Sequence, residues 1–238
     1  MKIRFYFYAL LLSIFIIACK KEDPAPTESQ KTICEQIGQL QENKEFNDRL
    51  DILYNSALNY NFEAAFLFYA DNRNIYRYEY VEGELNRPSL SLTLNRKIDG
   101  VIHCHYKSLY PIFSIGDMKA LYEIIDGQFI KESGTFNFGV VSAKGVAYLI
   151  KFSDFSKARD FLIESFKTSS ASSRIEKQYK DAIDLNLKQN NMIVSGELSF
   201  LSIFGSKGMD LFKASIGDKK WVKIDIDSGN ELVEIQCE

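Results

Sequence analysis

Apolar residues follow two different periods along the chain. Leucines and isoleucines recur at helical spacing between residues 33 and 58, which predicts a helix over residues 32–58 with a break near Asn43. Short apolar or alternating runs bounded by turn residues are typical of strands. Six such runs lie before residue 153, at residues 62–69, 75–81, 89–94, 100–105, 136–141 and 146–152.

Helical patterns interrupt and follow these strands. An apolar stripe over residues 118–125 begins after Asp117 and ends at Gly127, and residues 154–167 and 174–189 carry two further stripes. The remaining expectations are a loop at residues 169–173, a short helix at residues 196–205 and a closing β-meander at residues 211–213, 221–226 and 232–235. This order of elements predicts an α+β fold.

The first 18 residues have the features of a bacterial lipoprotein signal peptide. Lys2 and Arg4 precede an apolar run over residues 5–18, and the small residue Ala18 stands directly before Cys19. The run is shorter than the roughly 20 residues that a spanning helix needs. The resemblance implies cleavage before Cys19, acylation of that cysteine and attachment to the cell envelope, with the outer membrane as the expected location.

The segment after Cys19 has the composition of a tether. Its first residues, Lys20 to Asp23, resemble the surface-export signal of Bacteroidetes lipoproteins, and a solvated linker explains these charges equally well. Residues 23–31 contain two prolines and no large apolar side chain. We therefore divide the chain into a signal peptide (1–18), a lipidated cysteine with its tether (19–31), a domain with an N-terminal helix (32–167) and a C-terminal extension (168–238).

Composition and cysteine count narrow the class of protein. The 238 residues are 46% hydrophobic and 26% charged, enough for one substantial core, and a net charge of −3 without a basic stripe argues against a nucleic-acid partner. With Cys19 lipidated, Cys34, Cys104 and Cys237 remain, so at least one thiol is unpaired. Cys34 and Cys237 lie near opposite ends of the folded region and could form a disulfide, or each could be a small buried hydrophobe.

The two histidines of the chain stand two positions apart in a predicted strand. Because side chains i and i+2 of a strand point to the same face, His103 and His105 can converge on one metal ion while Cys104 points away. The preceding residues, Gly100 to Ile102, are typical of a buried strand. A hydrogen-bonded surface pair of histidines is the alternative.

Three further polar residues accompany the histidines. Ser114 and Asp117 stand three apart before a helical stripe, a spacing that suits a capping box, and the two roles of cap and metal site are compatible. Glu63 is the only charged residue between residues 62 and 70, and burial of a carboxylate is costly without a metal site or hydrogen bonds. An ion pair of Glu63 with Arg73 or Lys97 is the alternative.

The order of these five residues resembles the signature of the JAMM metallopeptidases, the Zn²⁺-dependent branch of the Jab/MPN fold. The residues are Glu63, His103, His105, Ser114 and Asp117. The resemblance implies a mixed, cytidine-deaminase-like sheet with flanking helices. It implies that the two histidines and Asp117 bind Zn²⁺, that Glu63 is the general base, and that Ser114 donates a hydrogen bond to the tetrahedral oxyanion.

The resemblance covers residues 45–165 and implies hydrolysis of an amide bond by a metal-activated water, in a peptidase or isopeptidase. Outside the cytoplasm, a peptide, protein or cell-wall amide is a more suitable substrate than a ubiquitin-like conjugate. Two departures stand out: Tyr106 replaces the family's proline, and the eight residues between His105 and Ser114 are one more than usual. Because of these departures, a second hypothesis stands beside the metallopeptidase: a non-catalytic metal-binding or protein-interaction module of the same fold. A structural surface lipoprotein is the third hypothesis.

Overall fold

The computed structural model describes residues 28–70 and 76–237. The predicted signal peptide (1–18) and the lipidation site Cys19 lie outside this range, as do Arg73 and the predicted turn at residues 71–74. No helix among the described residues has the length and apolar character needed to cross a membrane.

Helices and strands alternate along the described chain. The strands are β1 (Ala64–Ala70), β2 (Tyr76–Glu82), β3 (Gly100–His105), β4 (Asn137–Ser142), β5 (Val146–Phe152), β6 (Met209–Ser215), β7 (Trp221–Ile226) and β8 (Leu232–Gln236). The helices are α1 (Glu28–Glu42), α2 (Lys44–Asn59), α3 (Ile115–Asp126), α4 (Phe155–Phe166), α5 (Ser169–Asn186) and α6 (Met192–Phe200), and α6 continues into a π-helical turn at Leu201–Gly205. The α+β prediction is confirmed.

All eight strands belong to one mixed sheet in the order β2-β1-β3-β4-β5-β6-β7-β8. β3 and β4 are parallel, and the other neighbouring pairs are antiparallel. Parallel neighbours need a crossover connection, and here the chain between β3 and β4 contains α3. This crossover brings the start of α3 to the end of β3.

Helices cover both faces of the sheet and create two cores. The face under α1 and α2 buries Ile37, Leu50, Leu53, Phe66, Ile102, Leu149, Phe212 and Trp221. The opposite face, under α3 to α6, buries Phe113, Leu121, Phe138, Val140, Ile150, Leu162, Ile175 and Phe204. Full burial of each such side chain contributes about 1.5–3 kcal/mol. The central strands are therefore covered on both sides.

The predicted helix break is confirmed at Asn43. Its side chain accepts a hydrogen bond from the Phe46 backbone at 3.0 Å and caps α2. The predicted strand at residues 89–94 is wrong, since this segment has no strand conformation. Leu90, Leu92 and Leu94 pack against the core, which explains the alternating pattern. Both edges of β1 are already occupied by β2 and β3, so the segment lies against the core without joining these ladders.

The predicted loop at residues 169–173 is also wrong. α5 begins at Ser169, because the Thr168 hydroxyl accepts a hydrogen bond from the Ala171 backbone at 3.2 Å. Behind such a cap, serine is tolerated in the first helical turn. The short helix expected at residues 196–205 starts earlier, at Met192, because the Asn191 side chain caps it.

The C-terminal strands continue the same sheet. β6 pairs with the whole of β5, from Val146 opposite Ser215 to Phe152 opposite Met209. A disulfide joins Cys34 in α1 to Cys237, directly after β8, across a sequence separation of 203 residues. Cys104 is a buried free thiol. The two ends of the folded region are thus covalently joined.

The disulfide should contribute substantially to stability. In the double variant Cys34→Ser/Cys237→Ser, we expect the free energy of unfolding to fall by about 3–5 kcal/mol, because the cross-link restricts a very long loop in the unfolded chain. Urea denaturation monitored by circular dichroism measures this loss. A reductant should destabilise the wild type and have little further effect on the double variant; equal stability of both proteins would contradict the prediction.

Candidate metal centre

β3 sets the direction of the two histidines. Every residue of this strand is buried, with β1 on one side and β4 on the other. Val101 packs in the core under α3 to α6, whereas Ile102 and Cys104 pack in the core under α1 and α2. By strand alternation His103 and His105 share the face of Val101, and the expectation that Cys104 points away is confirmed.

A capping box at the start of α3 places Asp117. Ser114 is the N-cap residue, and its hydroxyl accepts a hydrogen bond from the Asp117 backbone at 3.2 Å. In return, Oδ2 of Asp117 accepts a hydrogen bond from the Ser114 backbone at 2.6 Å. These reciprocal bonds fix the side chain of Asp117 at the first turn of the helix.

The two histidines and Asp117 converge. Nε2 of His103 lies 3.1 Å from Oδ1 of Asp117, and Nε2 of His105 lies 3.2 Å from Oδ2. The two Nε2 atoms are 3.1 Å apart. One ligand atom from each residue lies within 4.8 Å of the others, so this buried cluster could hold a metal ion. The longer loop between His105 and Ser114 does not keep Asp117 away from the histidines.

The tautomer of His105 suits metal binding. Its Nδ1 lies 2.7 Å from the carbonyl oxygen of Tyr110. Because a carbonyl can only accept, Nδ1 must carry the proton, which leaves the Nε2 lone pair of the neutral ring directed at the cluster. Tyr110 belongs to the loop between β3 and α3, and no pattern of side chains in the sequence indicates this backbone contact.

Glu63 lies beside the cluster without being part of it. It directly precedes β1 and is 6% exposed. Its Oε1 atom is 3.8 Å from Nε2 of His105, beyond direct hydrogen-bonding distance. Among the described residues, Glu63 forms its ion pair with His105. Of the two partners suggested by the sequence, Lys97 forms no ion pair with Glu63, and Arg73 lies outside the described range.

Electrostatic coupling shifts the ionisation of three groups. Burial raises the pKa of the Glu63 carboxyl; His103 and His105 oppose this rise, and Asp117 adds to it. Burial alone would raise the pKa of Asp117, but the two imidazoles hold it well below its ordinary value. Burial alone would lower the pKa of His105, yet Asp117 and Glu63 outweigh burial and raise it. The ionisation of each of these groups therefore depends on the charge of its neighbours in the cluster.

Two residues far away in the sequence support the loop before α3. The hydroxyl of Tyr179 on α5 donates a hydrogen bond to the Phe113 carbonyl at 2.9 Å. Gly196 on α6 allows close approach, because a Cβ atom there would lie 2.8 Å from a methyl carbon of Ile112. These supports depend on tertiary packing, so sequence spacing could not reveal them.

The other two residues singled out by the sequence have defined positions. Ser114 is half-buried, and its hydroxyl accepts the capping bond, so its own proton remains available for donation. Tyr106 is only 7% exposed. Its ring therefore packs into the protein and is not an exposed platform at the site, which limits its direct effect on a substrate groove.

Comparisons with known proteins place the chain in no family. No protein-family model matches its sequence, no curated protein matches it, and no solved structure matches its fold. The functional argument consequently rests on the geometry of the site.

The cluster passes a geometric test for a tetrahedral metal ion. Ligand atoms about 2.0–2.2 Å from a tetrahedral ion lie about 3.3–3.6 Å from one another. The two Nε2 atoms are 3.1 Å apart, and each lies 3.1–3.2 Å from an oxygen of Asp117, Oδ1 for His103 and Oδ2 for His105, so these separations are within a few tenths of an ångström of that range. The two imidazole nitrogens and the Asp117 carboxylate are therefore spaced closely enough to belong to one coordination shell.

Asp117→Asn should separate metal binding from helix capping. The amide oxygen can still accept the hydrogen bond from the Ser114 backbone, so we expect a stability change within about 1 kcal/mol. Loss of the negative charge should lower metal occupancy at least tenfold, as measured by elemental analysis of protein purified without chelator. Asp126→Asn, at the exposed end of the same helix, is the matched control and should retain full occupancy. Full occupancy of Asp117→Asn would contradict the ligand assignment.

Proposed function

We propose that the protein is a zinc-dependent metallopeptidase or isopeptidase with a JAMM-like site on a Jab/MPN-like sheet. The convergence of His103, His105 and Asp117, with Glu63 Oε1 3.8 Å from a ligand nitrogen, carries this proposal. The order of the residues in the sequence, the mixed sheet and the position of Asp117 at a helix N-terminus support it further.

The ligand set favours Zn²⁺ over other common ions. Mg²⁺ and Ca²⁺ prefer shells of oxygen ligands, whereas two of the three ligand atoms here are imidazole nitrogens. Three protein ligands are typical of a catalytic zinc site. When bound, Zn²⁺ supplies Lewis acidity that polarises a carbonyl and lowers the pKa of a coordinated water to about 7.

Glu63 has the properties of a general base. Its carboxylate is buried, close to the ligand cluster and too distant from His105 to be tied up in a direct hydrogen bond. Burial raises its pKa, which improves its ability to take a proton from an attacking water and return it to the departing amine. Asp117, with its pKa held well below normal, stays ionised and is suited to a ligand role.

We assign Ser114 a role at the reacting carbonyl. Its hydroxyl oxygen accepts from the Asp117 backbone, which fixes the side chain, while the hydroxyl proton has no acceptor among the described residues. A fixed donor of this kind can stabilise the oxyanion of a tetrahedral intermediate, an effect of about 2.7–4 kcal/mol in comparable sites.

The disulfide supports a location outside the cytoplasm. Disulfides such as Cys34–Cys237 persist mainly in oxidising compartments. This agrees with the lipoprotein signal and the lipid anchor proposed at Cys19, which attach the enzyme to the cell envelope. Peptide, protein or cell-wall amide bonds are then the substrates within reach.

Glu63→Gln should abolish catalysis while preserving the metal. The amide has nearly the same shape but cannot take a proton, so cleavage should slow by about 10² to 10⁴ while zinc content and melting temperature stay close to wild type. A substrate found by screening peptide libraries and cell-wall fragments for chelator-sensitive cleavage provides the assay.

Glu82→Gln is the matched control for this experiment. Glu82 is exposed and lies opposite Ala64, the neighbour of Glu63, so its substitution should leave the rate unchanged. Full activity of Glu63→Gln would remove it from the mechanism. If zinc is bound and a broad screen finds no cleavage, the hypothesis of a non-catalytic metal-binding module takes the place of the enzyme hypothesis.

Cys19→Ala should remove the lipid anchor without unfolding the protein. Acylation needs the cysteine thiol, and the folded residues from 33 onward do not depend on the lipid. We expect the variant to remain an uncleaved precursor, with the melting temperature of the folded part unchanged. Fractionation and mass spectrometry measure both features; mature-length variant in the membrane fraction would contradict the lipoprotein assignment.

A further inference from the structure

A second candidate site lies on the other face of the sheet, at its opposite end. The metal cluster uses the end of β3, where His105 pairs with Ser142, whereas this cavity adjoins Asn137, at the beginning of β4. It has a volume of about 150 Å³ and lies between α1, the start of α2 and the sheet. Its rim is exposed and its floor is buried, so a small solute could enter from solvent.

Lys151 on β5 lines the floor of this cavity. It is 1% exposed, although lysine is rarely buried unless it is paired. Its Nζ donates to the Phe136 carbonyl at 3.0 Å and to Oδ1 of Asn137 at 3.2 Å. An ammonium has three N–H groups, so one remains without an acceptor among the described residues.

The charge of Lys151 has no protein counter-ion within the described part of the chain. Asp210 lies opposite Lys151 in the pairing of β5 with β6, but its carboxylate is engaged by Lys223 at 3.1 Å. Burial without a charged partner lowers the pKa of Lys151 from 10.5 to about 8. Among the described residues, the acceptors for the Lys151 ammonium are two neutral oxygens.

Gln36 also lines the cavity, whose other walls are partly apolar. Oε1 of Gln36 is buried and has no hydrogen-bond partner among the described residues. Phe46, Phe68 and Tyr78 supply aromatic surface around it. A small anion with an apolar body and one donor group would satisfy all three features. The volume is well below that of sites for drug-sized ligands, which indicates a small molecule.

We propose that this cavity binds a small organic carboxylate whose anionic group accepts from Lys151 and whose hydroxyl or amine donates to Gln36. The carboxylate supplies the counter-ion that the protein lacks, and charge-assisted hydrogen bonds of this kind are stronger than neutral ones. The site is independent of the metal cluster in position and in chemistry.

Calorimetric titration of the full chain, purified in detergent, tests the proposal. The probes are 4-hydroxybenzoate, benzoate and the neutral 4-hydroxybenzamide. We expect saturable binding of 4-hydroxybenzoate, with benzoate weaker because it lacks the donor and the amide at least tenfold weaker because it lacks the charge. Absence of saturable binding up to millimolar concentration, or equal affinity for all three probes, overturns the proposal.

Variants locate the binding to this cavity. Lys151→Met should remove the preference for the carboxylate, and Gln36→Leu should reduce 4-hydroxybenzoate to the affinity of benzoate. Lys119→Met, which alters an exposed lysine on α3, is the matched control and should bind like wild type. Unchanged binding in Gln36→Leu, or in a folded Lys151→Met protein, overturns the assignment. If Lys151→Met does not fold, the binding of Gln36→Leu and the preference of the wild type among the three probes test the assignment.

The pH dependence of benzoate binding supplies an independent measurement, because benzoate keeps the same charge throughout the pH range tested. The ammonium binds the anion, so affinity should fall as the pH rises through about 8, where free Lys151 loses its proton. Burial raises the pKa of Tyr76 and Tyr78, so these phenols stay neutral there, and Asp210 remains paired with Lys223. Affinity that stays constant between pH 7 and 10 would exclude Lys151 as the anion-binding group.

Discussion

The carboxylate of Asp117 joins the local structure of a helix to the geometry of the candidate site. One of its oxygens accepts a hydrogen bond from the Ser114 backbone, and both oxygens face imidazole nitrogens. A buried carboxylate is costly unless hydrogen bonds and positive charge compensate it. Here the Ser114 backbone provides the hydrogen bond and the two histidines provide the positive charge, so the contact between the start of α3 and the end of β3 meets both requirements.

A metal ion bound at this cluster would compete with protons for the same imidazole nitrogens. Asp117 stays ionised because the imidazoles stabilise its charge, and His105 is drawn toward its protonated form by the same carboxylate. A divalent cation can take over the compensating role, on condition that the imidazoles are neutral. The Tyr110 carbonyl already fixes the tautomer of His105 that this exchange needs. The protein thus holds the three ligand atoms close together through contacts of its own.

The sequence could predict the parts of the site that depend on local periodicity. Strand alternation placed His103 and His105 on one face, and the spacing of Ser114 and Asp117 predicted a capping box that also serves the cluster. It could not predict the Tyr110 carbonyl or the close approach permitted at Gly196, because backbone positions in loops and helix contacts follow from tertiary packing. The same limit explains the segment at residues 89–94, where alternation reflects burial against a core and not pairing in a sheet.

The two buried charged sites differ in how their charge is compensated. At the metal cluster, opposite charges and a helix terminus surround Asp117, so the protein itself completes most of the electrostatic balance. At Lys151, two neutral oxygens accept hydrogen bonds but no carboxylate among the described residues neutralises the ammonium. A structural lysine could be replaced by a hydrophobic residue of similar size at little cost, and often with a gain in stability. A buried, uncompensated ammonium beside a cavity that is also lined by a residue with an unpartnered acceptor is therefore better explained by an external anion than by the needs of the fold.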